Sequence, residues 1–61
     1  MMELMKITEV AEVLAVSVST VRRLIKYHEL PHIRMGRALR FNRRDIREWA
    51  IRRGEEKNAG K

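Results

Sequence analysis

The chain has 61 residues and a net charge of +6, so it can form one small domain with a limited core. The absence of cysteine excludes disulfides and thiolate metal sites, and it suits a reducing cytoplasm. No apolar run approaches the ~18 residues of a transmembrane helix, and the N-terminus lacks the apolar stretch of a signal peptide. We therefore expect a cytoplasmic protein without a membrane partner.

The positive charge is concentrated in one part of the chain. Residues 17–53 hold eleven Lys or Arg against three acids, a net charge of +8, whereas the remainder is slightly acidic. A concentrated basic surface attracts polyphosphates and speeds encounter with them. The alternative is a basic surface that only keeps a small protein soluble.

The first two predicted elements are short amphipathic helices that follow each other closely. Apolar residues at helical spacing predict the first helix over residues 7–15. Ser17 is an expected N-cap for a second helix over residues 18–28. Its apolar face is formed by Val21, Leu24, Ile25 and His28. Two helices joined this tightly form a helix-turn-helix, with the second in the position that enters the DNA major groove.

A basic β-hairpin is predicted next, over residues 32–41, because Pro31 ends the helix and two alternating segments follow. We prefer a three-residue loop, Gly36-Arg37-Ala38, since it gathers the apolar side chains on one face. The pairs are then Met35 with Leu39 and Ile33 with Phe41. Arg34 and Arg40 share the outer face, and Arg37 stands at the tip. A two-residue loop would place Ile33 opposite Arg40.

A third helix is predicted over residues 43–53, with Asn42 as its cap and Asp45 as the capping-box partner. Gly54 is expected to end it, so that residues 54–61 form a flexible tail after a domain of residues 1–53. The predicted fold class is mainly α with a small β-hairpin: a winged helix-turn-helix of three helices and one wing. The core is expected to include Trp49, Leu24, Val21, Leu14 and Phe41.

Catalytic machinery is hard to find in this sequence. His28 and His32 lie four residues apart, but Pro31 separates them and no carboxylate cluster accompanies them. We expect no catalytic residue, metal, cofactor or small-molecule ligand, and no enzymatic activity.

Three segments together resemble the small winged helix-turn-helix domains of the excisionase family. They are ITEVAEVLAVSVSTVRRLI, ELPHIRMGRALRF and RDIREW, and the resemblance covers about residues 5–50. The regulators related to the mercury-resistance repressor use the same fold. Ala15 departs from the pattern, since the family often has glycine there.

The resemblance implies a bacterial or phage DNA-binding protein in the cytoplasm or nucleoid, with its second helix in the major groove and its wing at the minor groove. Excisionases of this type bind direct repeats, bend DNA and turn an integrase toward excision, so double-stranded DNA and an integrase are the implied partners. Ser19, Thr20, Arg22 and Arg23 match the family's helix contacts, and Arg37 matches the wing tip.

Residue chemistry adds further candidates to this interface. Arg22 and Arg23 point about 100° apart on a helix, so one can reach base edges while the other reaches a phosphate. Arg37 could enter a narrow minor groove. Tyr27 could contact the DNA backbone or pack on the wing. The expected DNA-binding residues are Ser19, Thr20, Arg22, Arg23, Lys26 and Tyr27 of the helix, Arg34, Arg37 and Arg40 of the wing, and Arg43.

Other functions remain open at this point. A transcriptional regulator could use the same domain, although regulators of the mercury-resistance type carry a long dimerising helix that we do not find here. A module that binds RNA or an acidic protein is a third class. We also expect copies to lie head-to-tail on DNA, with residues 54–61 and Ile51 on one side of the contact and the wing on the other.

Overall fold

The computed structural model describes residues 4–59, and it describes side chains as far as Gly54. Within these residues the chain forms three helices and three strands. In chain order they are β1 (Leu4–Met5), α1 (Ile7–Leu14), α2 (Val18–His28), β2 (Ile33–Met35), β3 (Ala38–Asn42) and α3 (Arg43–Ala59). The predicted winged helix-turn-helix is confirmed. None of these helices has the length and apolar composition needed to span a membrane.

The turn between α1 and α2 is fixed by one backbone conformation and one cap. Ala15 adopts the left-handed region, with φ 57° and ψ 44°. The next amide, that of Val16, then donates to the Ala11 oxygen at 2.9 Å, which closes α1 in a Schellman arrangement. Ser17 caps α2 as predicted, since its Oγ accepts from the Thr20 amide at 3.1 Å.

The sheet contains a strand that the sequence did not indicate. β1 pairs antiparallel with β3, Leu4 opposite Asn42 and Met5 opposite Phe41, so that β3 is the central strand in the order β1-β3-β2. Two residues are too short a stretch to show an alternating pattern. The strand nevertheless buries Met5 in the core, at 1% exposure.

The predicted three-residue loop of the wing is wrong. β2 and β3 pair Met35 with Ala38, Arg34 with Leu39 and Ile33 with Arg40, which leaves Gly36-Arg37 as a two-residue loop. Gly36 has φ +61°, and a glycine with positive φ at the first loop position is what a type II′ hairpin turn requires. The apolar pairs expected across the hairpin do not form, and Met35 remains 53% exposed.

The core lies between β3, the helices and the segment after α2. The buried side chains are Met5, Val10, Ala11, Val21, Leu30, Phe41 and Ile46. Of the predicted core, Val21 and Phe41 are fully buried, whereas Leu14, Leu24 and Trp49 are partly buried against it. His28, expected on the apolar face of α2, is exposed because the helix ends there.

The third helix begins as predicted and ends later. The Asn42 side chain accepts from the Arg44 amide at 2.9 Å, which confirms its capping role. The helix continues through Gly54 to Ala59, so the expected stop at Gly54 is wrong. A single glycine costs a helix about 1 kcal/mol, which the good helix formers that follow it can offset. Residues 60–61 of the expected tail lie outside the described residues.

Candidate nucleic-acid interface

The polar face of α2 is open to solvent along its length. Ser19, Arg22, Arg23 and Lys26 are all exposed, as a surface that enters a groove must be. The Ser17 cap fixes the first turn of α2 and thereby the direction in which this face points. Thr20 is different, because it is half-buried and its hydroxyl lies 2.9 Å from the Ser17 Oγ. Its side chain therefore holds the start of α2 in place.

The C-terminal end of this face carries an aromatic ring beside a cation. Tyr27 is 65% exposed, so its ring stands in solvent and is not packed away against the wing. The Lys26 ammonium lies 5.3 Å from the centroid of that ring, within cation–π range. The two side chains form one exposed unit at the end of α2.

The wing places its arginines differently from the sequence-based prediction. Residues opposite each other on paired strands share a face, so Arg34 lies on the face of Leu39 and Arg40 on the face of Ile33. Arg34 and Arg40 therefore leave the wing from opposite faces, although both side chains line one concavity beside α2. Arg40 is partly buried, and its Nη1 donates to the Leu39 main-chain oxygen at 2.8 Å. Arg37 is exposed in the turn, at the expected tip.

A concavity of about 370 Å³ lies where the start of α1, α2 and the wing meet. Its eight lining residues include five cations and no acid. We call it the basic cleft; the cations are Lys6, Arg22, Arg34, Arg37 and Arg40. Like charges gathered in one concavity focus the positive potential and raise the local concentration of polyanions.

Lys6 is the member of the basic cleft that sequence reasoning missed. It lies eleven residues before the basic segment 17–53 and outside both of the elements predicted to bind DNA. One signal could have found it: the residue just before a predicted helix is usually Ser, Thr, Asp or Asn. A lysine at that position is an exception and therefore indicates a role other than capping.

Other predicted site residues lie apart from the basic cleft. Arg23 and Lys26 are on the exposed face of α2 and are not among the cleft's lining residues. Arg43 lines a separate groove of about 1030 Å³ between α1 and α3, together with Val13 and Ile51. Arg43 is thus separated from the helix and wing arginines with which it was grouped.

Comparison with protein families gives the class of this domain. A family model described as a helix-turn-helix domain matches residues 4–54. The chain belongs to the helix-turn-helix domain family. The match runs from β1 into α3, so it includes the wing and the basic cleft as well as α1 and α2. This family includes excisionase-like small DNA-binding proteins, and membership indicates DNA binding. No curated protein and no solved structure matches the chain.

Proposed function

We propose that this helix-turn-helix protein binds double-stranded DNA, with α2 in the major groove and the wing at the neighbouring minor groove. The observation that carries the proposal is the basic cleft, which lies between α2 and the wing and whose charged lining residues are all cations. A strand of the duplex backbone that crosses this cleft brings base edges to α2 on one side and to the wing tip on the other.

Each predicted contact then has a distinct role. Ser19 and Arg23 project from α2 outside the basic cleft and read base edges, whereas Arg22, Arg34 and Arg40 meet phosphates. Arg37 enters the minor groove. The remaining candidates contact or position the backbone; they are Thr20, Lys26, Tyr27 and Arg43.

We further propose that the protein acts as an excisionase. It binds direct repeats, bends the DNA and directs an integrase toward excision, without enzymatic activity or cofactor of its own, in the cytoplasm or nucleoid of a bacterial host. The support is the resemblance of the helix, wing and RDIREW segments to that family. A transcriptional regulator would use the same interface on an operator.

Several copies are expected to bind side by side. A single helix and wing bury roughly 600–1,000 Å² of protein surface, which is too little to select one site in a genome. Contacts between neighbours on adjacent repeats add affinity without new DNA contacts. Ile51 is 53% exposed and α3 extends beyond it, so this side of the domain is available to a neighbouring copy.

Fluorescence anisotropy with labelled duplexes tests these proposals. Binding to duplex DNA should exceed binding to RNA of equal length, and its logarithm should fall with log salt by about 0.9 for each phosphate contacted. Salt-independent binding, or a preference for RNA, would overturn the DNA-binding proposal.

The proposed head-to-tail binding to direct repeats needs a second experiment. Duplexes from beside a recombination site, with one, two or three repeats, are titrated with the wild type and with Ile51→Ser. Cooperative binding that Ile51→Ser weakens supports the head-to-tail arrangement. Independent binding to each repeat, with the same curve for both proteins, would contradict it.

A further inference from the structure

We propose that Lys6, from outside the helix-turn-helix and the wing, is a DNA-binding residue that holds a backbone phosphate in the basic cleft. This inference rests on the proposed function and adds a third protein element to the interface. The ligand is a phosphodiester of duplex DNA. The strand is then gripped by the start of α1 as well as by α2 and the wing.

Lysine is an unfavourable residue at the position that Lys6 occupies. It is the N-cap of α1, with extended backbone (φ −85°, ψ 161°). An N-cap side chain stabilises a helix by accepting a hydrogen bond from a first-turn amide, and an ammonium group has no acceptor. Its charge also lies at the positive end of the helix dipole. Only one half of a capping box can form here: the Glu9 carboxylate accepts from the Lys6 amide at 2.8 Å. The Lys6 side chain cannot accept the reciprocal hydrogen bond.

The same side chain is well placed for an anion. It lines the basic cleft with Arg22 of α2 and with Arg34 and Arg40 of the wing, and the lining includes no carboxylate. Glu9 accepts from the Lys6 main-chain amide and is not among the lining residues. These cations repel one another until an anion enters between them. A residue that breaks a local rule while completing a charged cleft is typical of a functional site.

The shape of the charged surface favours a chain of phosphates over a single ion. The cations of the cleft come from three elements, with Lys6 before α1, Arg22 on α2 and Arg37 at the exposed wing tip, and Arg23 and Lys26 add exposed positive charge on α2 outside the cleft. Successive phosphates of one DNA strand present charges along such a surface. A free phosphate ion would use only one point of it.

The test compares Lys6→Ser with Arg47→Ser in the full chain. Both variants remove one positive charge, and Arg47 is an exposed residue of α3 that lines the separate groove. Loss of one phosphate contact makes the slope of log affinity against log salt shallower by about 0.9, which is about fivefold in affinity at roughly 0.15 M salt. We expect this loss from Lys6→Ser on target and random duplexes alike, and less than about twofold from Arg47→Ser.

The thermal stability of Lys6→Ser provides a second readout. If Lys6 had only a structural role, its loss would lower the unfolding midpoint. Serine is a good N-cap, so Lys6→Ser should raise the midpoint of thermal unfolding, by about 4–8 °C for a domain of this size. A variant that is more stable and binds DNA less tightly supports the proposal. It also shows that weaker binding is not a result of unfolding.

The outcomes separate the inference from the function on which it rests. If the wild type binds duplex DNA and Lys6→Ser binds with the same affinity and salt slope, or loses no more than Arg47→Ser, the inference is wrong and the proposed function stands. If the wild type does not bind duplex DNA, both are wrong. If millimolar inorganic phosphate at constant ionic strength displaces the DNA, the ligand is the free ion and the assignment to the DNA backbone is overturned.

Discussion

The indole Nε1–H of Trp49 donates a hydrogen bond of 3.1 Å to the main-chain oxygen of His28. This bond joins α3 to the last residue of α2 and satisfies a carbonyl that the end of α2 leaves without a partner in the helix. Arg53 strengthens the junction: its guanidinium lies 2.9 Å from the His28 Nδ1 and 5.7 Å from the centroid of the Trp49 ring. The orientation of α2 is therefore set from α3.

Substitution of Trp49 should measure this junction. Trp49→Phe keeps an aromatic ring and removes the donor, so we expect a loss of about 1 kcal/mol in the free energy of unfolding. Trp49→Ala also removes the ring and should cost about 3 kcal/mol, the low end for such a change, because the ring is only partly buried. Urea unfolding followed by circular dichroism gives both values. Equal stability of the wild type and Trp49→Phe would show that the bond contributes nothing.

A glycine at position 15 should stabilise the protein. Ala15 holds φ 57° at the end of α1, a conformation in which a Cβ is strained and glycine is not. Ala15→Gly also adds freedom to the unfolded chain, which offsets part of the gain. The expected net effect is a gain of about 0.5–1 kcal/mol in the free energy of unfolding, measured by urea titration.

Ala50 provides the control for this change. It lies in α3 with ordinary helical geometry, so Ala50→Gly should destabilise the protein by about 1 kcal/mol or slightly more. If both glycine substitutions destabilise the protein alike, the left-handed turn at Ala15 is not a source of strain.

The sequence predicted those elements whose residues interact locally. Helix periodicity, the Ser17 cap and the Asn42 cap depend on neighbours within one turn, and all three are present in the structure. The wing register depends on more distant packing. Leu39 and Phe41 are fixed by the core and by β1, so β3 alone carries the apolar face, and apolar pairing across the hairpin is not what sets the loop.

In the candidate site, too, features set by local interactions were predictable and features set by distant packing were not. The exposed face of α2 could be predicted from its spacing, because a helix places residues three and four apart on one side. The contribution of Lys6 to the basic cleft could not, since it depends on β1 pairing with β3 and on the wing register that sequence reasoning missed. Met5 is buried through the same pairing.

Gly54 should tolerate alanine and gain from it. The glycine lies inside α3, and a Cβ added there would meet no atom within 4 Å. Gly54→Ala should therefore raise the helical signal in circular dichroism and stabilise the helix by about 1 kcal/mol. Gly54→Pro should break the helix and lower that signal. If the alanine variant matches the wild type and the proline variant does too, α3 ends before Gly54 in solution.

Arg22 and Arg23 should differ in what their loss does to DNA binding. Arg22 lines the basic cleft, whereas Arg23 is exposed on α2 outside it. Arg22→Ala should weaken binding to target and random duplexes equally and make the salt slope shallower by about 0.9, because a phosphate contact is lost. Arg23→Ala should cost about 1–3 kcal/mol on the target and little on random DNA, because a base contact is lost. Anisotropy titrations at several salt concentrations on both duplexes distinguish the two patterns. Identical salt and sequence dependence for the two variants would mean that Arg22 does not contact the backbone while Arg23 contacts bases.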